Sequence, residues 1–410
     1  MRVLFTTSNW GGHYFAMVPL GWALQAAGHQ VRVACVPAQA ETISTAGLVP
    51  VPVLDSPDMT LWARLAAYQE AVDGKRTLPG LPPHPVTGRT VSALDEFDVA
   101  PAMERFMAEC GTALERSYDG AVEFGRQWEP DLVCYDLMST EGALVARLQG
   151  VPGIYCPPGL FGVMETEPGI DMGLEDPMGA FVRHGAKPWN RDQIEYVLDP
   201  SPASALPPHG DAQRIPVRYI PYNGPGELPE WAVERPSGTR IAICWGYSAT
   251  AMYGPDVPAL RWAVEAAVET GAEVVLTASE EQVAALGDLP PSVRVLRNFP
   301  LHLLLAVSDA VIHHGGASHL MTAAAAGVPQ LALSMSTEQL VFGDRIAATG
   351  AVVSLPGLTA TVEQLRAGVR DLVGGSAVAA ARAVRDELRS YPTPAQVVPQ
   401  LVELAARRSS

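Results

Sequence analysis

The feature of this sequence that most constrains its fold is an alternation of short apolar runs with longer amphipathic stretches. In the first half, the runs that we predict as strands are residues 3–6, 31–36, 49–54, 132–135 and 153–156. Runs that are apolar on both sides are typical of a parallel sheet covered by helices on both faces. Amphipathic stretches between them, such as residues 14–27 and 100–128, complete the pattern of a βαβ series.

A second series of the same kind occupies the other half of the chain. The runs predicted as strands there are residues 241–245, 274–277, 293–296, 310–313, 330–333 and 351–354. Between the two series, residues 206–238 contain seven prolines, a composition that favours a stiff linker. We therefore predict an α/β fold class with two Rossmann-like, doubly wound domains facing a central cleft.

The predicted domain boundaries follow from this pattern. They are an N-terminal domain at 1–215, a Pro-rich interdomain linker at 216–238, a C-terminal domain at 239–392 and a last helix at 393–410. The last helix is expected to cross back to the N-terminal domain. Two irregular segments, residues 55–99 and 157–205, interrupt the first series, and long loops of this kind are usually binding loops or lids.

Composition restricts the partners that such a chain can have. The sequence carries 28 Lys and Arg against 44 Asp and Glu, and its net charge of −16 disfavours nucleic acid and anionic lipid. No run approaches the roughly 20 apolar residues of a membrane span. The five cysteines lack the spacing of a zinc site or a disulfide framework. We expect a cytoplasmic protein that binds small molecules, without a nucleic-acid or membrane partner.

Ligands of doubly wound sheets bind where the strands end, so residues directly after the strands are the site candidates. His13 follows two glycines after the first strand, and a histidine there can accept a proton near neutral pH. Asp136 follows the strand at 132–135 and can hold that imidazole in one tautomer. The alternatives are a packed or helix-capping His13 and an Asp136 that caps the next helix. No Gly-x-Gly-x-x-Gly fingerprint of a dinucleotide site is present.

The second series contains an anion-binding pattern after the strand at 310–313. Residues 313–319 read His-His-Gly-Gly-Ala-Ser-His and lead into a predicted helix. Small residues permit close approach to the backbone, and the N–H groups at a helix start attract an anion such as a diphosphate. The alternative is a Gly-rich turn that serves only the geometry of the chain. Adjacent histidines point to opposite faces of a strand, so no metal site is predicted.

Two further polar segments follow strands of the second series. Glu338 and Gln339 can bind neighbouring hydroxyls, as a sugar requires, or can form an ordinary first turn of a helix. Ser248 follows the strand at 241–245 and can reach the same anion, or can belong to a plain loop.

Together these motifs resemble the two-domain (GT-B) glycosyltransferases that use nucleotide sugars. The order is a histidine after strand one, a Pro-rich linker, His-His-Gly-Gly before a helix, and an acid-Gln pair about twenty residues further on. In particular, the chain is similar to actinobacterial antibiotic glycosyltransferases, which attach deoxysugars to polyketides. The segments that carry this similarity are residues 13–20, 218–224, 300–304 and 327–330.

The resemblance implies a role for each matching position. His13 would be the general base and Asp136 would orient it. The donor would be bound by Ser248, Asn298, Phe299, His313, Gly315, Gly316, Ala317, Ser318, Glu338 and Gln339. Within that set, His313 and the backbone of 316–318 would bind the diphosphate, Glu338 and Gln339 the sugar, and Phe299 the nucleobase. The sequence departs from the family pattern at Ser318-His319 (usually Gly-Thr), at Glu338 (often Asp) and at Asn298 (commonly aromatic).

The function implied is inverting transfer of a deoxysugar from a dTDP-sugar to a polyketide-type acceptor in antibiotic biosynthesis. No cofactor and no metal are expected, and the dTDP-deoxysugar is a co-substrate. The aglycone is expected to contact Trp10, Phe161, Met164 and Met172, with Met178 and Phe181 in the same segment. A nucleotide-sugar epimerase and a non-catalytic accessory subunit stay open as alternatives. A homodimer and an auxiliary activator protein stay open as partners.

Overall fold

A computed structural model describes residues 1–76, 80–166, 170, 176–226, 229–297, 299–373 and 375–407. In these ranges the strands are β1 (Arg2–Thr6), β2 (Gln30–Ala34), β3 (Pro50–Val51), β4 (Leu132–Tyr135), β5 (Gly153–Tyr155), β6 (Tyr196–Asp199), β7 (Gln213–Pro216), β8 (Arg240–Cys244), β9 (Glu273–Thr277), β10 (Val293–Leu296), β11 (Ala310–His313), β12 (Gln330–Ser334) and β13 (Val352–Pro356).

Helices separate these strands along the chain. In order they are α1 (Gly11–Phe15), α2 (Val18–Ala26), α3 (Ala40–Thr45), α4 (Met59–Val72), α5 (Val99–Trp128), α6 (Glu141–Gln149), α7 (Ala180–Arg183), α8 (Glu230–Val233), α9 (Tyr247–Tyr253), α10 (Pro258–Glu269), α11 (Glu280–Leu286), α12 (Leu301–Leu305), α13 (Ala317–Ala326), α14 (Thr337–Ala347), α15 (Val362–Val373), α16 (Ser376–Ser390) and α17 (Pro394–Ala406). In the described ranges, no helix combines the length and the apolar character that a bilayer crossing requires.

The chain forms two compact units, each built on one parallel sheet. Unit 1 comprises Met1–Pro57, Glu109–Gly224 and Asp386–Ser410, and unit 2 comprises Asp58–Ala108 and Pro225–Arg385. Among the described residues, the sheet of unit 1 has the order β3-β2-β1-β4-β5-β6-β7, and that of unit 2 has the order β10-β9-β8-β11-β12-β13. The predicted α/β class with two doubly wound parallel sheets is confirmed.

The order of the strands reverses once in each sheet, and that reversal creates a place for a ligand. In unit 1 the chain continues on opposite sides of β1, so that β1 pairs with both β2 and β4. In unit 2 the same happens at β8, which pairs with β9 and β11. The loops that leave β1 and β4, and those that leave β8 and β11, therefore diverge and open a crevice at the carboxyl ends of the strands.

Burial of both strand faces explains why the apolar runs identify the sheets. In unit 1, Val3, Phe5 and Leu132 belong to a buried cluster to which α17 contributes Leu401 and Leu404. Helix α17 packs on α2 within this unit. In unit 2, a second cluster contains strand residues of β8, β9, β11 and β12 together with residues of α10 and α15.

Several elements, including β6, β7 and α4, lie where the sequence predicts irregular structure. Strands β6 and β7 fall in the segments assigned to a loop and to the start of the linker, and α4 falls in the irregular segment 55–99. Apolar residues occur on all sides of α4, so its sequence shows little helical periodicity, although only Leu65 and Tyr68 are fully buried. Strand β7 is an edge strand that ends at Pro216, which is where a sheet tolerates proline.

Residues 58–108 also differ from the predicted domain assignment. The sequence was expected to place them in the N-terminal domain at 1–215, whereas they cluster with unit 2. The physical reason is that α4 packs against α9, and Arg64 donates a hydrogen bond to the carbonyl oxygen of Ala251 at 2.5 Å.

Gly142 tests how tightly α6 packs on the sheet of unit 1. A Cβ atom added there would lie 2.2 Å from Thr6 Oγ1 and 2.7 Å from Tyr135 Cβ, both on buried strands. We expect Gly142→Ala to lower the free energy of unfolding by about 1–3 kcal/mol, because overpacking forces neighbouring atoms to shift. Gly238→Ala is the control, since nothing lies within 4 Å of its added Cβ. Urea denaturation followed by circular dichroism compares the two, and equal midpoints would contradict the packing.

Candidate active site

The candidate site in unit 1 lies where β1 and β4 end side by side. Thr6 is the pairing partner of Tyr135, so the residues that follow each strand come together. The chain after β1 passes through Ser8 to the short helix α1, which contains His13, and the chain after β4 begins with Asp136. The sequence therefore brings an imidazole and a carboxylate to the same crevice, as predicted from their positions.

Ser8 lies between His13 and Asp136. Its Oγ is 2.9 Å from His13 Nδ1 and 2.8 Å from Asp136 Oδ2, whereas His13 Nδ1 is 4.0 Å from that carboxylate oxygen. Asp136 is fully buried and also accepts hydrogen bonds from the backbone N–H groups of Ser8 (2.7 Å) and Met138 (2.9 Å). Sequence reasoning expected Asp136 to orient His13 and assigned no role to Ser8, although Ser8 lies in the same turn.

The hydrogen-bond inventory fixes the direction of this chain. A carboxylate only accepts, so the Ser8 hydroxyl donates to Asp136 and can then only accept from His13. His13 therefore carries its proton on Nδ1 and leaves the lone pair of Nε2 available. An imidazole in this tautomer can take a proton from a substrate hydroxyl at Nε2.

The electrostatic environment keeps His13 neutral near physiological pH. Burial lowers the pKa of His13 below its usual 6.5, and the negative charge of Asp136 opposes part of that shift. The side chain is 19% exposed, so the ring is enclosed but not sealed from solvent. A neutral ring at pH 7 is the form that a general base requires.

The residues predicted to contact an acceptor differ in how far they are exposed to solvent. Trp10 is half-buried next to α1, and Met164 is half-buried, with its side chain against Gly210. Phe161 is 1% exposed, as part of the interior, and does not present its ring to an open surface. Phe181 is also buried, stacked on Trp189 with ring centroids 5.5 Å apart. Met172 lies outside the described residues.

In unit 2, the two adjacent histidines after β11 have different environments. His313 is fully buried; its Nδ1 accepts from the N–H of Gly315 at 3.1 Å, and its Nε2 lies 2.9 Å from Gln330 Oε1. Burial lowers the pKa of His313 to about 4. Both ring nitrogens are committed to the protein, and this corrects the expectation that His313 offers one of them to a diphosphate.

His314 has the free capacity that His313 lacks. Its Nδ1 is buried and has no hydrogen-bond partner among the described residues. Two glycines make room for the ring, because an added Cβ would lie 2.8 Å from His314 Cε1 at Gly246 and 2.9 Å from His314 Nε2 at Gly316. Burial and the neighbouring His313 lower the pKa of His314 to about 3, so the ring is neutral at pH 7.

The start of α13 lies directly beyond these histidines. Gly316 occupies its N-cap position without a side-chain cap, which leaves the first turn dependent on other partners for its N–H groups. Gly315 has a φ of +85°, and an added Cβ would lie 2.7 Å from Ser334 Oγ. That hydroxyl and Thr250 Oγ1 are buried without a partner among the described residues. A helix start beside the unpartnered Ser334 hydroxyl suits an anion with several oxygen atoms.

The remaining predicted donor residues of unit 2 lie on loops and helices that follow its strands. Ser248 is half-buried on α9, and Phe299 is 8% exposed within a buried cluster. Gln339 Oε1 accepts from the N–H of Met335 at 2.9 Å. Glu338 is half-buried and its pKa is raised by burial. Asn298 lies outside the described residues.

Metal ligands are not assembled at either place. In the described ranges, no three His, Cys, Asp or Glu side chains are arranged so that they could hold a metal ion.

Comparison with known proteins identifies what these features resemble. Two models of the erythromycin biosynthesis protein CIII-like family match this chain. The model of the N-terminal domain matches residues 22–246, and that of the C-terminal domain matches residues 261–404. Aklavinone 7-beta-L-rhodosaminyltransferase of Streptomyces galilaeus is 33% identical over 99% of this chain and 96% of its own length.

Solved structures resemble the whole chain as well. Spinosyn forosaminyltransferase SpnP is similar with a TM-score of 0.76 and 30% identity, covering 99% of both chains. Spinosyn rhamnosyltransferase SpnG complexed with thymidine diphosphate has a TM-score of 0.73 and 28% identity, covering 98% of this chain and all of that one (100%).

Proposed function

The chain belongs to the erythromycin biosynthesis protein CIII-like family of antibiotic glycosyltransferases, and from that premise we propose that it moves a deoxysugar from a thymidine diphosphate sugar to a polyketide-type aglycone with inversion. It is a glycosyltransferase of the GT-B fold. The thymidine diphosphate in a similar structure supports the choice of donor, and the relative named for aklavinone supports the choice of acceptor. The observation that carries the mechanism is the hydrogen-bond chain from Asp136 through Ser8 to His13.

The proposed reaction is a single displacement. The acceptor oxygen forms a bond to the anomeric carbon while the bond from that carbon to the diphosphate oxygen breaks, and the electron pair leaves with the diphosphate. His13 Nε2 takes the acceptor proton as the new bond forms, which typically contributes a factor of roughly 10² to 10⁴. The resulting imidazolium is stabilised by the Ser8 oxygen and, through it, by Asp136.

The diphosphate is proposed to bind at the start of α13. The backbone at 315–318 faces the charge that develops on the leaving group, and the helix dipole favours that charge. His314 takes the side-chain role predicted for His313, because, of these two histidines, His314 is the one with a ring nitrogen that lacks a partner among the described residues. Ser248, Phe299, Glu338 and Gln339 keep their proposed contacts with phosphate, base and sugar. For the acceptor, Trp10 and Met164 remain proposed contacts.

A direct assay tests the reaction. Purified protein is incubated with thymidine and uridine diphosphate sugars and with aromatic or macrolide aglycones, and products are detected by mass spectrometry. Transfer from a thymidine diphosphate sugar to an aglycone supports the proposal. Consumption of the donor without any aglycone would indicate an epimerase instead.

His13→Ala tests the general base. We expect kcat to fall by roughly 10² to 10⁴ because the acceptor proton loses its acceptor group. The affinity for thymidine diphosphate, measured by calorimetry, should stay unchanged, since His13 belongs to unit 1 and the donor groups to unit 2. A kcat close to that of the wild type would remove His13 from this role.

Ser8→Ala tests the link between His13 and Asp136. Without the hydroxyl, Nδ1–H loses its acceptor, and we expect kcat to fall roughly 10- to 100-fold. Ser8→Thr keeps the hydroxyl and should restore much of the loss. The pH profile is a second readout: the wild type should lose activity only as pH falls through the lowered pKa of His13, below 6.5, because the protonated ring is no base. An unchanged kcat in Ser8→Ala would show that the hydroxyl is dispensable.

His314→Ala and His313→Ala form a matched pair. A hydrogen bond to a charged group contributes about 1.5–3 kcal/mol, so His314→Ala should weaken thymidine diphosphate binding by one to two orders of magnitude. His313→Ala should instead lower the free energy of unfolding by about 1–3 kcal/mol for each polar group left unpaired, namely Gln330 Oε1 and the Gly315 N–H. Calorimetry and thermal denaturation separate the two effects. The reverse pattern would return the donor contact to His313.

A further inference from the structure

Residues 58–108 form an ordered piece of unit 2 with contacts of their own. The Tyr68 hydroxyl, on α4, donates to the carbonyl oxygen of Leu94 at 3.1 Å, and its ring lies 5.7 Å from that of Phe97. Trp62 stacks on Phe106 with ring centroids 5.6 Å apart. The chain leaves unit 1 at Pro57 and re-enters it at Glu109. We name residues 58–108 the cover segment. Its own internal contacts hold it together, in addition to its contacts with the rest of unit 2.

Arg64 attaches the cover segment to α9. Its Nε donates to the carbonyl oxygen of Ala251 at 2.5 Å, and its Nη1 lies 3.5 Å from the carbonyl oxygen of Pro85. Gly88, at a φ of +69°, leaves room for the guanidinium, because an added Cβ would lie 2.6 Å from Arg64 Nη2. The Arg64 side chain thus passes Pro85 and Gly88 of the cover segment and reaches α9, which lies outside that segment.

The carbonyl that Arg64 binds belongs to the last turn of α9. Carbonyl groups there have no partner within the helix, and a cation near them is favoured by the helix dipole. The opposite end of the same short helix follows Gly246, whose backbone packs against His314. Helix α9 also carries Ser248 and the hydroxyl of Thr250, which is buried without a partner among the described residues. A shift at one end of α9 therefore moves Ser248, Thr250 and the Gly246 end of the helix, which lies against His314.

A second arginine of the cover segment, Arg76, influences the same end of α9 electrostatically. The hydroxyl of Tyr253, the last residue of α9, has its pKa raised to about 12 by burial and by the charge of Glu338, and Arg76 of the cover segment opposes that shift. Arg76 and Glu338 thus act in opposite directions on the same hydroxyl at this end of α9.

We propose that Arg64 is a positioning residue for the nucleotide-sugar site, acting through α9 rather than by touching the donor. By anchoring the carbonyl of Ala251, it holds Ser248 and Thr250 in the arrangement that the diphosphate requires. The cover segment thereby contributes to donor affinity although it is remote in sequence from the donor motifs. This inference rests on the proposed donor site of unit 2.

The test compares three variants of the full chain. Arg64→Ala removes the contact, and Arg64→Lys keeps a positive donor for Ala251. Arg89→Ala is the matched control, because Arg89 is an exposed arginine of the same segment and its loss changes the net charge equally. Thymidine diphosphate affinity is measured by calorimetry, KM for donor and acceptor by transfer kinetics, and protection of the α9 amides by hydrogen exchange.

We expect Arg64→Ala to weaken thymidine diphosphate binding by about tenfold, as one charge-assisted hydrogen bond implies. The KM for the donor should rise while the KM for the acceptor stays near the wild-type value. Amides of residues 247–253 should exchange faster. Arg64→Lys should recover part of the affinity, and Arg89→Ala should match the wild type in every measurement.

Two results would overturn the inference. One is wild-type affinity for thymidine diphosphate in Arg64→Ala, even if the melting temperature falls, because that pattern belongs to a purely structural residue. The other is an equal loss in Arg89→Ala, which would indicate a general effect of charge. If the wild type binds no thymidine diphosphate, the proposed donor itself is refuted. If the wild type and Arg64→Ala bind it equally well, only the inference about Arg64 is refuted.

Discussion

The candidate site in unit 1 depends on the burial of one carboxylate. Asp136 is fully enclosed at the end of β4, and its oxygens accept from two backbone N–H groups and from the Ser8 hydroxyl. A buried carboxylate without such donors would be costly, so the turn after β1 must adopt the conformation that supplies them. That same turn places His13, and the tautomer of its ring follows from the orientation of the Ser8 hydroxyl. The geometry of the proposed base is thus a consequence of satisfying Asp136.

Local patterns were sufficient to predict much of the fold. Strands β4 and β11 have the predicted bounds, because a short run buried on both faces has an unmistakable composition. The patterns failed at β7, which is only partly buried, and at α4. Strand β7 ends at a proline on a sheet edge and lies in the Pro-rich stretch 206–238, and α4 is apolar on too many sides to show a helical period. The assignment of residues 58–108 to unit 2 depends on long-range contacts such as that of Arg64, which no local pattern encodes.

The site was predictable in position but only partly in detail. His13, Asp136 and the His-His-Gly-Gly segment do follow strand ends, because parallel strands bring their carboxyl ends to one edge. The sequence could not show whether His313 or His314 is available to a ligand. That depends on Gln330 of the neighbouring strand, which forms a hydrogen bond with His313. The role of Ser8 likewise depends on a distance of 4.0 Å between an imidazole and a carboxylate, which leaves space for a hydroxyl between them.

The charge of His313 and His314 determines how the proposed site in unit 2 can hold a diphosphate. The chain carries a net charge of −16, and burial lowers the pKa of His313 to about 4 and that of His314 to about 3, so neither ring adds a positive charge to the cradle at pH 7. A diphosphate held there depends on N–H donors and the helix start, whose contribution is sensitive to exact placement. This is why a positioning residue such as Arg64 can matter as much as a direct contact. Neutral donors bind a product less tightly than paired cations would. A diphosphate site of this kind therefore also favours release of the nucleoside diphosphate after transfer.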